Sequence, residues 1–522
     1  MVMTMNAYKI TPDTAFMLFS DTLHINSLQR GDHLALIDPN EQLSYRELNQ
    51  LVDHIAYSLQ QMGLKPGACL AICAYNSVKY AAVFAGALRA GLTVAPLAPS
   101  STAESLLAML EDCDAKLLFV DDNASELLNK LQQNLTVPMV WLDVEHPHGI
   151  EHWLQKGAPE RFSIHPDEPF NIIYSSGTTG EPKGIVQSHA MRWLHISRGS
   201  ALGYSPDAVT LLSTPLYSNT TLVAFFPTLA FGGTVVLMPK FNAQQYLELA
   251  QTYRVTHTML VPVQYQRIMA MPDFERFDLS SFQLKLSTSA PFHAALKADI
   301  LRRWPGGLVE FYGMTEGGGS CMLVAHEHPD KLETVGKPLD GQEMRVIDEN
   351  GHELPPGSIG EVVGHSGAMM TEYLNKPEKT KEAQWYDATG KRFIRTGDIG
   401  RFDEDGFLTL LDRRKDMIIS GGFNIYPSDL EAQLRLHPQL LEATVIGVAS
   451  KSWGETPAAY VVPKPHEPVD PIEIMQWFNS RVGKTQRLSH VEIIDELPRS
   501  AIGKVLKREL RERFIVKHGE MA

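Results

Sequence analysis

The chain predicts an α/β fold: a large N-terminal domain of layered α/β sheets with a small β-rich subdomain, followed by a small α+β C-terminal domain. Three observations carry this expectation. Apolar runs of strand length alternate with stretches of helical spacing as far as Phe311, residues 343–411 break into short strands separated by Gly, Asp and Pro turns, and a last unit with its own helices and strands begins near Asp412. The expected domains are therefore 1–411 and 412–522, the β-rich part lying at about 343–411.

In chain order, Ser44 to Leu64 repeats Leu48, Leu51, Ile55 and Leu59 on one helical face. Ala68 to Ala74 then reads as a strand, Val78 to Ala90 as a helix and Leu92 to Pro96 as a strand. The alternation continues through Ser105 to Asp112, Lys116 to Val120 and Met139 to Leu142, as a mainly parallel sheet requires. Phe170 to Ile173 is strand-like, Thr221 to Phe231 and Ala243 to Tyr253 flank the strand Thr234 to Met238, and Val309 to Phe311 forms another short strand. In the last unit Ser428 to Leu436 and Pro471 to Arg481 read as helices, Leu441 to Val448 and Ala458 to Val462 as strands. The charged connection Leu410 to Asp416 fits either a rigid link or a swivel.

With 522 residues, of which 44% are hydrophobic and 8% aromatic, the chain can bury a large globular core. Its 61 acidic and 47 basic residues give a formal charge of −14, which disfavours nucleic acid or an anionic membrane as the main partner and favours a small molecule. Cys69, Cys73, Cys113 and Cys321 are scattered as free thiols would be. Met1 to Ile10 has one lysine and no apolar core of signal-peptide length, and Ala81 to Pro99 is interrupted by Gly86, Arg89 and Gly91. These features predict a soluble cytoplasmic protein without an integral membrane segment, and they leave a homodimer open.

Chemistry concentrates in Tyr174-Ser-Ser-Gly-Thr-Thr-Gly-Glu-Pro-Lys-Gly184. Gly177, Gly180 and Gly184 let backbone approach a polyphosphate, Ser175, Ser176, Thr178 and Thr179 offer hydroxyl donors, and Lys183 supplies a compact charge. The loop predicts a nucleoside triphosphate. Because no Ser or Thr follows the lysine, the spacing differs from the G-x-x-x-x-G-K-[ST] loop and its mechanism does not transfer.

Five further stretches follow: Phe311-Tyr-Gly-Met-Thr-Glu316, Arg395-Thr-Gly-Asp398, Asp412-Arg-Arg-Lys-Asp416, Ser420-Gly-Gly-Phe-Asn-Ile-Tyr-Pro427 and Pro498-Arg-Ser-Ala-Ile-Gly-Lys504. In this order they resemble the adenylate-forming superfamily of acyl- and aryl-CoA ligases, luciferase and peptide-synthetase adenylation domains, and the resemblance spans essentially the whole chain. It implies ATP, Mg²⁺ and coenzyme A as reaction partners of a carboxylic acid. It also implies roles: Glu316 with Thr315 at Mg²⁺, Tyr312 and Gly313 against adenine, Asp398 at the ribose hydroxyls, Arg413 on the nucleotide and Lys504 bridging the attacking carboxylate and the phosphate. Lys415 takes the hinge position of a domain rotation, which makes the small C-terminal domain mobile, and Gly421 and Gly422 line a pantetheine tunnel.

The same resemblance puts the acid pocket at Tyr217, Ser218 and Asn219 with Phe225 and Phe226, at Thr288, Ser289 and Ala290, and at Gly317, Gly318 and Gly319. Many relatives have histidine where Ser218 falls and two glycines where Thr288 and Ser289 fall. Aromatic surface beside hydroxyls favours an aryl or hydroxycinnamate-like acid. A medium- or long-chain fatty acid competes, as does transfer to a separate carrier protein. An amino-acid-activating domain is disfavoured because Tyr217 to Phe226 contain no carboxylate for a substrate ammonium. His189 reads as structural, since adenylation starts from an ionised carboxylate and needs no base.

Overall fold

Ser44 starts the first long helix, Tyr45–Gln61, with its own side chain. Its hydroxyl accepts the Glu47 N–H while the Glu47 carboxylate accepts the Ser44 N–H at 2.8 Å, a reciprocal cap. Leu48, Val52, Ile55 and Leu59 are buried, and helix Val78–Arg89 packs closely because Gly86 has no side chain: a Cβ there would lie 2.5 Å from Ile55. This computed structural model describes residues 10–131, 135–143, 146–175, 182–421, 423–465, 467, 469–500 and 503–519.

The chain divides by its contacts into two units, Met1–Glu343 with Gly364–Ile394, and Met344–Val363 with Arg395–Ala522. In the first, the predicted alternation forms two sheets. One has seven strands, in the order Glu372–Tyr373, Lys183–Ser188, Pro169–Ser175, Thr93–Leu97, Cys69–Cys73, Leu117–Val120 and Met139–Trp141. The other has nine, running Lys337–Pro338, Cys321–Val324, Gly307–Tyr312, Leu284–Ser287, His257–Leu260, Val209–Leu212, Thr234–Leu237, Leu34–Ile37 and Gln42–Ser44. The central strands of both are parallel and buried on both faces, which explains the unbroken apolar runs of Cys69–Cys73 and Leu117–Val120 in the first, while the second also buries polar side chains such as Thr210, His257 and Lys285.

The second unit holds the strands Glu343–Ile347, Gly360–His365, Arg392–Phe402 and Leu408–Arg413, the β-rich texture expected for 343–411. Contacts group residues 344–363 and 395–411 with the C-terminal residues, whereas the sequence reading counts them with the large domain. The chain crosses this division three times, at the start of Glu343–Ile347 and inside Gly360–His365 and Arg392–Phe402. The same unit contains an α+β region. Its sheet runs Phe423–Ile425, Ile418–Ser420, Gly454–Pro463 and Leu440–Ser450, with His490–Ile493 alongside Gly454–Pro463, and helices Pro427–Leu434, Pro471–Asn479 and Lys507–His518 accompany it.

Candidate active site

Three parallel strands of the nine-stranded sheet, two of them adjacent and the third one strand away across His257–Leu260, carry the candidates of the first unit at their carboxyl ends, where a parallel sheet leaves its crevice. Tyr217, Ser218 and Asn219 follow Val209–Leu212, Thr288 to Ala290 follow Leu284–Ser287, and Gly313 to Gly319 follow Gly307–Tyr312. The topology thus gathers segments about 70 to 100 residues apart without any further signal from the sequence.

The phosphate-loop reading becomes a hairpin. Pro169–Ser175 pairs antiparallel with Lys183–Ser188, Ser175 opposite Lys183 and Tyr174 opposite Gly184. Ser176, Gly177, Thr178, Thr179 and Gly180 lie outside the described residues. Gly184 is boxed by Ile172 and the Tyr174 ring, which a Cβ would meet at 2.9 and 3.1 Å.

Lys183 and Glu316 meet through a residue that sequence reasoning missed. Tyr373 sits in a two-residue strand paired with the lysine's strand. Its hydroxyl donates to Glu316 Oε1 at 2.7 Å, and the Lys183 ammonium lies 5.4 Å from its ring centroid. Burial, reinforced by the Glu316 carboxylate, pushes the phenol well above its ordinary range, so it stays a donor. The Glu316 carbonyl accepts the Met370 N–H at 2.8 Å, and the Thr315 carbonyl accepts Gln187 Nε2 at 2.8 Å. A half-buried carboxylate with one oxygen oriented by a phenol fits Mg²⁺, which takes one or two carboxylate oxygens and keeps several waters.

Gly317 and Gly318 answer to close packing. Both have positive φ, +75° and +81°, and a Cβ would lie 1.8 Å from the Ala368 carbonyl oxygen or 2.5 Å from Ile394.

On the acid side Ser218 caps helix Asn219–Ala230. Asn219 Oδ1 accepts from buried Arg192 at 3.0 Å, and Arg192 also donates to Asn171 at 3.1 Å and to Gln187. Sequence reasoning missed this guanidinium too. It is 1% exposed between the rings of Phe170 and Phe226, and burial pushes it down to about 9. Phe225 is buried in the core, its ring 5.2 Å from that of Phe226. Tyr217 is half-buried, and burial pushes its phenol up to about 12. The Thr220 and Ser289 hydroxyls share a hydrogen bond of 2.5 Å, tying the helix start to the loop of Thr288 and Ala290. Ser289 has φ +83°, a left-handed conformation that glycine adopts freely and serine rarely.

The other candidates belong to the second unit. Asp398 and Arg413 face each other across paired strands, Arg413 Nε lying 3.3 Å from Asp398 Oδ1. Lys415 follows two residues later with its side chain exposed, and partial desolvation lowers its ammonium's pKa. Around this segment the Arg414 N–H donates to the Gly397 carbonyl at 2.9 Å, and Arg511 pairs with Asp416 at 2.8 Å. Gly421 turns the hairpin between Ile418–Ser420 and Phe423–Ile425 with φ +58°, its N–H on the Trp453 carbonyl at 2.8 Å. Gly422 lies outside the described residues. Lys504 is exposed on a loop closed by the Ser500 N–H on the Lys504 carbonyl at 2.8 Å and braced by Arg499, which pairs with Glu442 at 2.8 Å.

The described residues thus bring Lys183 and the oriented Glu316 carboxylate to the two sides of Tyr373, as the resemblance to adenylate-forming enzymes expects. The AMP-binding enzyme profile matches residues 23–374 and the AMP-binding enzyme C-terminal domain profile residues 429–504. The chain belongs to this family of AMP-forming acyl- and aryl-CoA ligases, enzymes that use ATP, Mg²⁺ and CoA.

It is 32% identical to an indoleacetate–CoA ligase of Aromatoleum aromaticum, covering 91% of this chain and 94% of that one. It is 30% identical to the fatty acid–[acyl-carrier-protein] ligase ScoC of Streptomyces coeruleorubidus, covering 92% and 93%. Other relatives, 29–32% identical, are named for ferulate, 4-coumarate, 2-succinylbenzoate and long-chain fatty acids, so identity alone does not fix the acid. Among solved structures, ATP-bound MatB from Rhodopseudomonas palustris aligns with a TM-score of 0.85 at 28% identity, covering 95% of this chain and 99% of that one. Among the described residues no helix is long and apolar enough to cross a membrane.

Proposed function

We propose that the protein joins an aryl or hydroxycinnamate-like acid to CoA. The carrying observation is the Thr220–Ser289 hydrogen bond, which ties half-buried Tyr217 and the polar helix start to the hydroxyl-bearing loop of Thr288 and Ser289. An aromatic acid uses both kinds of surface. The indoleacetate, feruloyl and coumarate ligases among the relatives support this choice. The fatty-acid relatives support the runner-up, a medium- or long-chain acid, and ScoC supports a carrier protein as acceptor.

In the first step a carboxylate oxygen of the substrate attacks the α-phosphorus of ATP, and the bond to pyrophosphate breaks. Lys183 and Lys504 offset the negative charge that gathers there, and no proton moves. Bound Mg²⁺ would neutralise phosphate charge. Glu316 would hold it with Thr315 nearby, Tyr373 fixing the carboxylate. Tyr312 and Gly313 would face adenine, and Asp398 and Arg413 would engage ribose and nucleotide. In the second step the CoA sulfur, having given its proton to solvent, attacks the acyl carbon; the thioester forms and AMP leaves. A working division at 411/412 with Lys415 as hinge would present Lys504 first and the Gly421–Gly422 turn second.

Four buried free cysteines fit a reducing cytoplasm. Light scattering on the purified protein would decide between a monomer and a homodimer. A panel of carboxylic acids scored for acid-dependent pyrophosphate release, then for CoA-dependent thioester, tests the function. Aryl acids should lead. Alkanoates succeeding where aryl acids fail would overturn the substrate class, and no acid-dependent pyrophosphate with any acid would overturn the reaction.

A further inference from the structure

The strand His490–Ile493 pairs parallel with Gly454–Pro463, placing Ala458 opposite His490 and Tyr460 opposite Glu492. Side chains alternate along it. Val491 and Ile493 enter one apolar cluster, while His490 and Glu492 point to the opposite face, where helix Lys507–His518 brings Phe514 edge-on to His490 at 5.5 Å. The last residue of that helix, His518, puts its ring 4.2 Å from that of His490. One ligand atom from each of His490, Glu492 and His518 falls within 4.8 Å of the others.

The Glu492 carboxylate, 5% exposed, uses its two oxygens differently. Oε1 takes Lys517 at 3.0 Å and Arg513 at 3.6 Å, whereas buried Oε2 has no hydrogen-bond partner and lies 3.5 Å from His518 Nε2. A buried carboxylate oxygen lacking a hydrogen bond is costly, and here it points at two imidazoles. The helix C-terminus beside them adds negative potential that favours a cation.

From this arrangement we propose that His490, Glu492 and His518 form a binding site for Zn²⁺ or a similar divalent transition metal, unrelated to the nucleotide's Mg²⁺. Two imidazoles and a carboxylate oxygen suit that class of ion, with water as fourth ligand. Metal–ligand distances of ~2.0–2.2 Å ask the set to contract by about an ångström, which His518 supplies from an exposed helix end. Lys517 and Arg513 oppose a dication, but both side chains are 57% exposed and therefore screened, and through Oε1 they hold the carboxylate with Oε2 toward the histidines. An ion there would pin the end of a helix that starts three residues after Lys504.

The test titrates the metal-stripped full-length protein with Zn²⁺ against a chromophoric chelator, without nucleotide. A parallel Co²⁺ titration reads the visible absorption of a low-coordinate site. Wild type should bind one equivalent, and His518→Ala and His490→Gln should each weaken binding at least ~10-fold and abolish the Co²⁺ band. Because His518 is exposed at a helix end, His518→Ala should keep the fold, verified by an unchanged metal-free melting temperature. Zn²⁺ should raise that temperature only in wild type. No binding to wild type, or equal binding to wild type and His518→Ala, would overturn the site.

Discussion

Replacing Tyr373 by Phe removes one atom from the proposed adenylation site and leaves the ring in place. The lost hydroxyl donates to Glu316 Oε1 at 2.7 Å, while the ring keeps its position 5.4 Å from the Lys183 ammonium. A hydrogen bond to a charged acceptor contributes about 1.5–3 kcal/mol. Tyr373 is buried but Glu316 is half-buried, so water can reach the carboxylate and the lower end applies, about 1.5 kcal/mol, or roughly 10-fold in a rate that depends on it. If the phenol orients the carboxylate for Mg²⁺, Tyr373→Phe should slow acid-dependent pyrophosphate release roughly 10-fold and raise the Mg²⁺ concentration at half-maximal rate. Thioester formation from supplied acyl-AMP should stay at the wild-type rate. Tyr373→Leu, which also removes the ring beside Lys183, should be slower still in the first step. A Tyr373→Phe enzyme with wild-type adenylation and Mg²⁺ dependence would refute the positioning role. Equal loss in both half-reactions would refute its assignment to the metal.

Lys504→Ala should cut acyl-AMP formation by roughly 10² to 10³, the cost of one transition-state charge contact, and spare thioester formation from supplied acyl-AMP; single-turnover measurements of each step separate the two. Gly421→Leu places a side chain at φ +58° with its Cβ 2.6 Å from the Trp453 ring, so it should cost about 1–3 kcal/mol in urea unfolding. Because this turn is proposed to line the thiol's path, the variant should keep pyrophosphate release and lose thioester formation. His189, buried edge-on against Phe170 at 5.0 Å, is pushed by burial down to about 4, Glu168 offsetting part of the effect. The unfolded chain then binds a proton that the fold excludes, so this contribution is intact above pH 6.5 and is lost as pH falls toward 4. The drop is up to about 3 kcal/mol, and the unfolding free energy from urea melts should fall by that much less between pH 6.5 and pH 4 in His189→Gln than in wild type.

What the sequence made legible follows from the range of the interactions involved. Ser44 and Glu47 are three residues apart, and their cap, the Leu48–Leu59 stripe and the helix they start are local facts. Asp398 and Arg413 are separated by one turn, and antiparallel pairing places them face to face. Tyr373 carried no such signal. Its strand has two residues, and its two partners lie 57 residues away at Glu316 and much further at Lys183, so only the assembled sheet brings them together. Arg192 was hidden for a similar reason: a lone arginine reads as surface, yet side-chain amides of Asn171 and Asn219 solvate it inside the core. Ser289 shows the converse. The departure from glycine was visible along the chain, but its cost and its compensation were not. A left-handed non-glycine residue costs on the order of 1–3 kcal/mol and persists only where its surroundings hold it. Here the holding contact is the Thr220 hydroxyl, on the first turn of the helix proposed to face the acid. A glycine would adopt this backbone without strain but could not make that hydrogen bond, so serine ties the loop to the helix. The proposed acid pocket would then draw its specificity from the pair Thr220 and Ser289 more than from the glycines beyond Glu316, whose lack of side chains is required by the Ala368 carbonyl and Ile394.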